Sequence, residues 1–460
     1  MDHTIAAVAT AIGEGGIGIV RISGHQSLDI LKKVFRYRSG RSISEIQERR
    51  MVYGNICDGS AIIDEAMVVY MKAPHTYTGE DVVEIQCHGS VISLRKILKL
   101  VLDSGAQMAQ RGEFTQRAFL NGRLDLSQAE AVIDVIKAKS DLGYGSAMAQ
   151  LQGSLSNEIK RIRKNMADLI ADIVAHIEYP EEDLEEITYE NIISSIDDVL
   201  TDIKKLADSS DTGRAIRDGL KLSIAGRPNV GKSSLMNSIL KADRAIVTDI
   251  PGTTRDTIEE FATIGGIPVR LTDTAGIRET DDIIEKMGIE KSRESISAAD
   301  VVIMMIDSSS ELTEEDAEIM RHAHGKKTIV ILNKSDLEQK VNRQLAIQVL
   351  PITENTKIIE MSAATGEGVD DLVNEIKEMV YNGEASAENE VMITNIRHIE
   401  LLENSMRLLT DARGMLECGE ALDFAESDIR EAWMSLGEIT GEAVNDDIVK
   451  EVFARFCLGK

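Results

Sequence analysis

The sequence lacks long apolar runs, has few cysteines and is short of base, and each shortage closes off a class of protein. Uninterrupted apolar runs reach six residues at most, as over Val301–Ile306, against the roughly 18 that a membrane span requires. The N-terminus opens with Asp2 and an early glycine cluster, where a secretory leader would place basic residues before an apolar stretch. A cytoplasmic protein with no membrane attachment is the expectation. Cys57, Cys87, Cys418 and Cys457 are the four cysteines in 460 residues and show no metal-like pairing. Four thiols could not staple a chain this long, so they read as reduced. Neither an internal repeat nor a low-complexity tract is found.

Base is outnumbered as well, with 51 Lys and Arg against 78 Asp and Glu, a net charge of −27. Such a surface repels a phosphate backbone over most of its extent and argues against a stand-alone nucleic-acid binder. The imbalance is uneven, because residues 1–124 hold 15 of the basic and 13 of the acidic side chains. An anionic ligand is better received there than by the acidic remainder. With 43% hydrophobic and 28% charged residues, the chain reads as globular, and its length suggests about three domains.

Short β-branched runs at Thr4–Ala11, Ile17–Ile22, Ala66–Met71 and Val82–Gln86, with a helix-like stretch Ile92–Leu102, predict a mixed α+β domain. From about Leu126 the period changes: Ile159, Ile162, Met166, Leu169, Ile173 and Ile177 fall on one helical face. After Gly213, strand, Gly-rich loop and helix alternate to about Val380, as a parallel sheet with crossover helices requires. Helical periodicity then returns in Ile399, Leu402, Met406 and Leu409, and in Ile429, Trp433 and Leu436. Two helical stretches flanking an α/β unit predict one helical domain interrupted by an insertion. Glu181–Glu186 reads as an acidic turn or a solvated helix start.

Lys221–Ala225 reads as a short strand, and Gly226-Arg-Pro-Asn-Val-Gly231-Lys232-Ser233 after it follows G-x-x-x-x-G-K-[ST] in a strand–loop–helix setting. Its glycines let backbone N–H groups turn toward phosphate oxygens, Lys232 adds a charge, and the Ser233 hydroxyl can hold Mg²⁺. Downstream, Arg270–Thr272 leads into Asp273-Thr-Ala-Gly276, where an Asp can fix the Mg²⁺ shell and a Gly N–H can sense the γ-phosphate. Ile329–Leu332 runs into Asn333-Lys-Ser-Asp336; a carboxylate there accepts the N1–H and 2-amino hydrogens of guanine, which adenine does not offer. Met361-Ser-Ala-Ala364 supplies a loop behind the base. Four such segments in this order predict a GTP-hydrolysing P-loop domain. A competing motif, Gly13-Glu-Gly15-Gly16-Ile-Gly18, matches a dinucleotide fingerprint, but Ile19–Ser23 reads on as a strand, so a Gly-rich turn is expected instead.

Three further features narrow the match. They are the segment Thr248-Asp-Ile-Pro-Gly-Thr-Thr-Arg-Asp256, Ile277 where Ras-like enzymes carry a water-aligning Gln, and Asn229 inside the phosphate loop. With the ending Cys457-Leu-Gly-Lys460, the chain resembles, over essentially its whole length, the MnmE (TrmE) family of potassium-activated tRNA wobble-uridine modification GTPases.

The resemblance implies a multidomain α/β and α fold. An N-terminal α+β tetrahydrofolate-binding and dimerisation domain would span 1–121. A discontinuous α-helical domain would span 122–215 and 382–460, with a P-loop GTPase domain, Ras-like α/β with a mostly parallel sheet, inserted over 216–381. GTP would be held by Asn229, Val230, Gly231, Lys232, Ser233 and Ser234; by Thr248, Asp249, Ile250, Pro251, Gly252, Thr253 and Thr254; by Asp273, Thr274, Ala275 and Gly276; and by Asn333, Lys334, Asp336, Ser362, Ala363 and Ala364. Ser233 and Thr254 would bind Mg²⁺, and Asn229, Thr248, Ile250 and Thr253 a K⁺ beside the phosphates. Lys232, Asp273 and Glu285 would be catalytic, Glu285 orienting the water. Arg255 reads either as an arginine finger or as a loop ion-pairing residue.

A 5-formyl- or methylene-tetrahydrofolate would meet Arg21, Glu84, Arg123 and Lys460; family members often carry Lys where Arg123 stands. Cys457 is a candidate for one-carbon chemistry, with a structural thiol as the other reading. The implied activity is GTP hydrolysis coupled to adding an aminomethyl or carboxymethylaminomethyl group at C5 of wobble uridine. The implied partners are a second copy of the chain and the flavin-containing enzyme MnmG, which would carry most of the tRNA contact. A ribosome-assembly GTPase of the Era or Der type is the alternative, expected to add a basic RNA-binding module or a second GTPase domain; a GTP-binding scaffold is the third reading.

Overall fold

Alternating burial along the first short strands builds a seven-stranded sheet from β1 (Ile5–Val8), β2 (Gly15–Ser23), β3 (Phe35–Tyr37), β4 (Val52–Asp58), β5 (Ala61–Met71), β6 (Val82–Gly89) and β7 (Gln107–Met108). The computed structural model describes residues 3–38, 46–178, 188–242, 260–272, 293–381, 391–442 and 444–460. The chain divides into two units, one of Met1–Ile133, Gln150–Tyr189 and Asp411–Lys460, the other of Asp134–Ala149 and Glu190–Thr410.

In the first unit the strand order is β3-β4-β5-β6-β2-β1-β7, antiparallel throughout except for the β1–β7 pair. Helices α1 (Ser27–Val34) and α2 (Val91–Asp103) cover one face. There Ile30, Leu31, Leu94, Ile97 and Val101 pack with Val20, Ile22, Val68, Val83 and Ile85. Each such side chain contributes about 1.5–3 kcal/mol by leaving water. On the opposite face Ile5, Ala7 and Ala109 pack with Phe114 of α3 (Glu113–Leu120).

The glycine run Gly13–Gly18 is only partly the turn expected of it. β2 already begins at Gly15, and its ladder to β6 shifts register between Gly15 and Gly18. A Cβ on Gly18 would lie 2.8 Å from the Leu94 side chain, so this glycine permits the close approach of α2. The strand runs on to Ser23, and no helix starts where a dinucleotide fold would need one.

Helices α4 (Leu126–Lys137), α5 (Asp141–Leu151) and α6 (Ser154–Glu178) follow. In α6, Ile159, Ile162, Met166, Leu169 and Ile173 are buried, whereas Ile177, predicted on the same stripe, is exposed one residue before the helix ends.

The second unit holds α7 (Tyr189–Asp208) and α8 (Ser210–Asp218). The α/β alternation predicted after Gly213 opens with β8, which takes in the strand expected at Lys221–Ala225. Gly213 lies inside α8, and a Cβ there would stand 2.2 Å from the Ile393 carbonyl oxygen; it is a packing glycine, not a breaker. The strands are β8 (Leu220–Ala225), β9 (Glu260–Ile264), β10 (Ile267–Thr272), β11 (Val301–Asp307), β12 (Lys327–Asn333) and β13 (Thr356–Glu360). Interspersed are α9 (Lys232–Ala242), α10 (Glu314–His322), α11 (Arg343–Val349) and α12 (Val369–Tyr381). The order is β13-β12-β11-β8-β10-β9, parallel except that β9 runs antiparallel to β10. β11 and β12 are near-continuous apolar runs because helices cover both their faces. Ligands of such sheets bind outside the carboxyl ends of the strands, here the ends of β8, β11 and β12.

The chain continues as α13 (Ile396–Glu417), α14 (Leu422–Thr440) and α15 (Asp446–Ala454). Within the first unit α14 packs on α6 through Arg163, whose guanidinium stacks 4.0 Å from the Trp433 ring. Arg163 Nε donates to the Trp433 carbonyl (3.1 Å), and Trp433 Nε1 donates to the Arg163 carbonyl (3.0 Å). Val449, Val452, Phe453 and Phe456 bury themselves with Leu126, Ala129, Val132 and Ile133. Among the described residues no helix is long and apolar enough to cross a membrane.

Candidate functional site

β8 ends at Ala225 and α9 begins at Lys232, which leaves residues 226–231 as a loop at the carboxyl edge of the sheet. Gly226 (φ 146°) and Gly231 (φ 105°) allow its turns; a Cβ would lie 2.5 Å from the Met305 carbonyl at the first and 2.3 Å from Asn333 Nδ2 at the second. Asn229 sits in the left-handed region at φ 64°, a conformation that asparagine tolerates better than most other non-glycine residues. The Lys232 ammonium folds over the loop, donating to the carbonyls of Gly226 and, at 3.1 Å, Arg227. Burial holds its pKa below the ordinary lysine value against the opposing charge of Glu315. Ser233 and Ser234 are exposed in the first turn of α9, where free N–H groups and the helix dipole favour phosphate.

The loops expected to receive the base are built from the ends of β12 and β13. Asn333 is buried; its Nδ2 donates to the Val230 carbonyl at 2.6 Å and its Oδ1 accepts from the Ala363 N–H at 2.9 Å. One side chain thus ties the phosphate loop to the loop behind the base. Lys334 takes φ 67° and pairs with Asp307 at 2.6 Å. Burial pushes the Asp307 carboxyl up, but the bonds from Lys334 and Ser309 outweigh it and hold the pKa below the usual carboxylate value. Ser335 N–H donates to the Met361 carbonyl (3.1 Å), and Ser238 Oγ of α9 donates to the Ala363 carbonyl (2.8 Å). Asp336 and Ala364 are exposed, Ser362 and Ala363 buried. Thr248, Asp249, Ile250, Pro251, Gly252, Thr253, Thr254, Arg255, Asp273, Thr274, Ala275, Gly276, Ile277 and Glu285 lie outside the described residues.

A second polar cluster lies in the first unit. Arg21 of β2 and Glu84 of β6 are cross-strand partners joined at 2.8 Å, each largely buried. Tyr77 carries a guanidinium on its ring twice over, Arg21 at 5.5 Å and Arg123 at 4.9 Å. Arg123 also donates to the Tyr77 carbonyl at 3.1 Å, and Arg21 lies 5.8 Å from the Phe114 ring. The C-terminal tail reaches this face: Leu458 bridges Arg111, and a Cβ on Gly459 would stand 2.1 Å from the Val8 carbonyl. Ala7, next to Val8, is the cross-strand partner of Arg21. Lys460 is half-buried and Cys457 exposed. By contrast burial pushes the Cys87 thiol up to about 11. Among the described residues, no three His, Cys, Asp or Glu side chains gather as a metal site.

Residues 126–457 match the MnmE helical domain family, and residues 4–123 match the N-terminal family of the GTP-binding protein TrmE. The tRNA modification GTPase MnmE of Clostridioides difficile (strain 630) is 51% identical over 460 residues, covering 100% of both chains. The chain belongs to the MnmE family of tRNA modification GTPases. The MnmE of Alkaliphilus oremlandii (strain OhILAs) is 47% identical over 462 residues, again across 100% of each. Among solved structures, the G domain of the T. maritima FeoB iron transporter is 28% identical, covering 35% of this chain and 97% of that one at a TM-score of 0.26.

As a GTPase of the MnmE family, the chain carries supporting residues around its nucleotide loops that the motifs alone do not reveal. Arg227 of the phosphate loop donates through Nε to the fully buried Asp316 at 2.8 Å, and Asp307 holds Lys334. The readable signal for the second is a lone carboxylate ending the all-apolar strand Val301–Ile306. Tyr77 and Phe114 were likewise missed beside Arg21; an aromatic among turn residues, in Thr76-Tyr-Thr-Gly-Glu80, was the available clue.

Proposed function

We propose that the chain hydrolyses GTP to drive addition of an aminomethyl or carboxymethylaminomethyl group at C5 of wobble uridine in tRNA, with a tetrahydrofolate derivative as one-carbon donor. The observation that carries the nucleotide reading is the Asn333 clamp, which joins the phosphate loop to the base-backing loop at one edge of the parallel sheet. In this reading Lys232 meets the β- and γ-phosphates and Asp336 accepts from the guanine edge. Ser233 and Thr254 bring hard hydroxyl oxygens of the kind Mg²⁺ prefers, and Asp273 would help to fix the ion. Asn229, exposed at its left-handed corner, brings a carbonyl oxygen suited to K⁺, with Thr248, Ile250 and Thr253. When bound, the two cations neutralise charge developing on the phosphates. Glu285 orients the attacking water.

The folate reading rests on the Arg21–Glu84 pair beside Arg123 and the C-terminal tail. A carboxylate such as Glu84 accepts from a pterin N–H edge, and Arg123 and Lys460 offer cations to glutamate carboxylates. Dimerisation through residues 1–121 and transient pairing of the 216–381 domains complete the proposed cycle. The net charge of −27 supports leaving most tRNA capture to the flavin-containing partner MnmG.

Steady-state GTP turnover of the full chain in KCl and then NaCl tests the cation: a large drop in NaCl is expected, and equal rates contradict it. Retention of labelled 5-formyl-tetrahydrofolate by the full chain, lost in Arg21→Ala and Glu84→Gln, tests the donor; retention unaltered in both variants removes that reading. Unmodified wobble uridine in tRNA from cells lacking the chain is the expected cellular result.

A further inference from the structure

The connection that leaves β11 touches both nucleotide loops and belongs to neither. At its start Asp307 Oδ2 accepts from Lys334 Nζ at 2.6 Å, while Oδ1 accepts from Ser309 N–H (3.0 Å) and Oγ (2.6 Å). The next residue, Ser308, is fully buried and bonds the Asn333 carbonyl through both N–H (2.9 Å) and Oγ (2.7 Å). At the far end Asp316 is fully buried. Its Oδ1 accepts from Arg227 Nε at 2.8 Å, and its Oδ2 closes a capping box with Thr313 N–H and Oγ1, both at 3.0 Å. Arg227 also reaches Ser310 Oγ at 3.4 Å. Lys334 and Arg227 follow or sit among the residues assigned to guanine and phosphate, so each of those loops is tethered by an ion pair to one ten-residue segment.

We propose that residues 307–316 act as a common brace of the nucleotide site, with Asp307 a positioning residue that acts on guanine binding through Lys334 and Asp316 one that acts on the phosphate loop through Arg227. The inference rests on the guanine-nucleotide reading of these loops. Lys334 sits in a left-handed backbone conformation, and its long flexible side chain loses rotamer freedom when held. An ion pair formed before the nucleotide arrives removes that ordering cost from binding. The brace therefore acts on affinity, and for Asp307 hardly at all on the chemical step.

The test is a double-mutant cycle on the full-length protein, read by GTP turnover in KCl and by titration with fluorescent GDP. Asp307→Asn is expected to raise KM for GTP and Kd for GDP about tenfold, the size of a lost charge-assisted hydrogen bond, with kcat within twofold. Because Asp307 works through Lys334, Asp307→Asn combined with Lys334→Ala is expected to lose no more than Lys334→Ala alone. Asp307→Glu should recover part of the affinity. Ser309→Ala, which removes the hydroxyl bond to Asp307 and keeps the one from the Ser309 N–H, should leave KM unchanged. A parallel cycle of Asp316→Asn with Arg227→Gln should be equally non-additive. An unchanged KM in Asp307→Asn, multiplying losses in the double variants, or a fall in kcat at constant KM overturns the brace. If the parent chain itself shows no preference for GDP over ADP, the underlying nucleotide reading fails instead; guanine selectivity with an unchanged KM in Asp307→Asn fails the brace alone.

Discussion

Asn333 Nδ2 donates to the Val230 carbonyl at 2.6 Å, joining residues 103 apart in the chain. The same carboxamide accepts from the Ala363 N–H, so three loops lock onto one buried side chain. Asn333→Ala would leave a carbonyl and an N–H without partners, at about 1–3 kcal/mol. Its expected effect is a rise in KM for GTP of tenfold or more with a folded protein, measured by steady-state kinetics beside thermal unfolding. An unaltered KM would show that the loops hold themselves without it.

With Lys232 on the phosphates as proposed, its ammonium sets the alkaline limit of nucleotide binding. Burial lowers its pKa, and phosphate binding requires the ammonium form. Affinity for GDP is therefore expected to fall as pH rises through that lowered value, earlier than an ordinary lysine near 10.4 would give. Lys232→Arg, which stays charged, should flatten this limb while losing activity through altered geometry. A titration that is flat in the parent chain up to the ordinary lysine range contradicts the account.

The C-terminal tail depends on a glycine. Gly459 has φ 89°, and a Cβ there would meet the Val8 carbonyl at 2.1 Å. Gly459→Ala is expected to lift the tail from β1 and weaken 5-formyl-tetrahydrofolate retention while basal GTP turnover stays unchanged. Equal retention by variant and parent would detach Lys460 from the folate site.

His88 and Asp64 form a pH-sensitive contact at 2.6 Å. Burial raises the Asp64 pKa, but bonds from Ser93 and His88 outweigh it and bring the carboxyl below its ordinary value; the Asp64 hydrogen bond in turn raises His88. The contribution of Asp64 is present above its unfolded pKa and lost as pH falls through the depressed folded value. That of His88 is full below its unfolded pKa and lost as pH rises through the raised folded value. Their joint contribution is thus greatest between about pH 4 and 6.5. In an NMR titration His88 should titrate above its ordinary value in the parent and shift downward in Asp64→Asn; the same midpoint in both contradicts the pairing.

Much of the parallel sheet was legible because Val301–Ile306 and Ile329–Leu332 are short apolar runs buried on both faces, a pattern few other settings produce. β4 was not, since Gly54 and Asn55 read as turn residues; Gly54 is needed because a Cβ would lie 2.2 Å from the Arg36 carbonyl. α3 escaped because its eight residues are too few to establish a period. Around the nucleotide loops the motif residues were readable from local spacing. The Arg227–Asp316 pair, 89 residues apart, was not, because only tertiary structure brings those charges together.

In the proposed reading Asp336 selects the base, and exchanging its acceptor for a carboxamide measures that most directly. Xanthine keeps the N1–H of guanine but has a carbonyl in place of the 2-amino group, so Asn at 336 can accept from the first and donate to the second. Turnover of GTP, XTP and ATP by the full chain and by Asp336→Asn is expected to show GTP favoured by the parent and XTP by the variant, each by at least about a hundredfold. A parent that prefers ATP, or a variant that keeps its preference for GTP, contradicts the account.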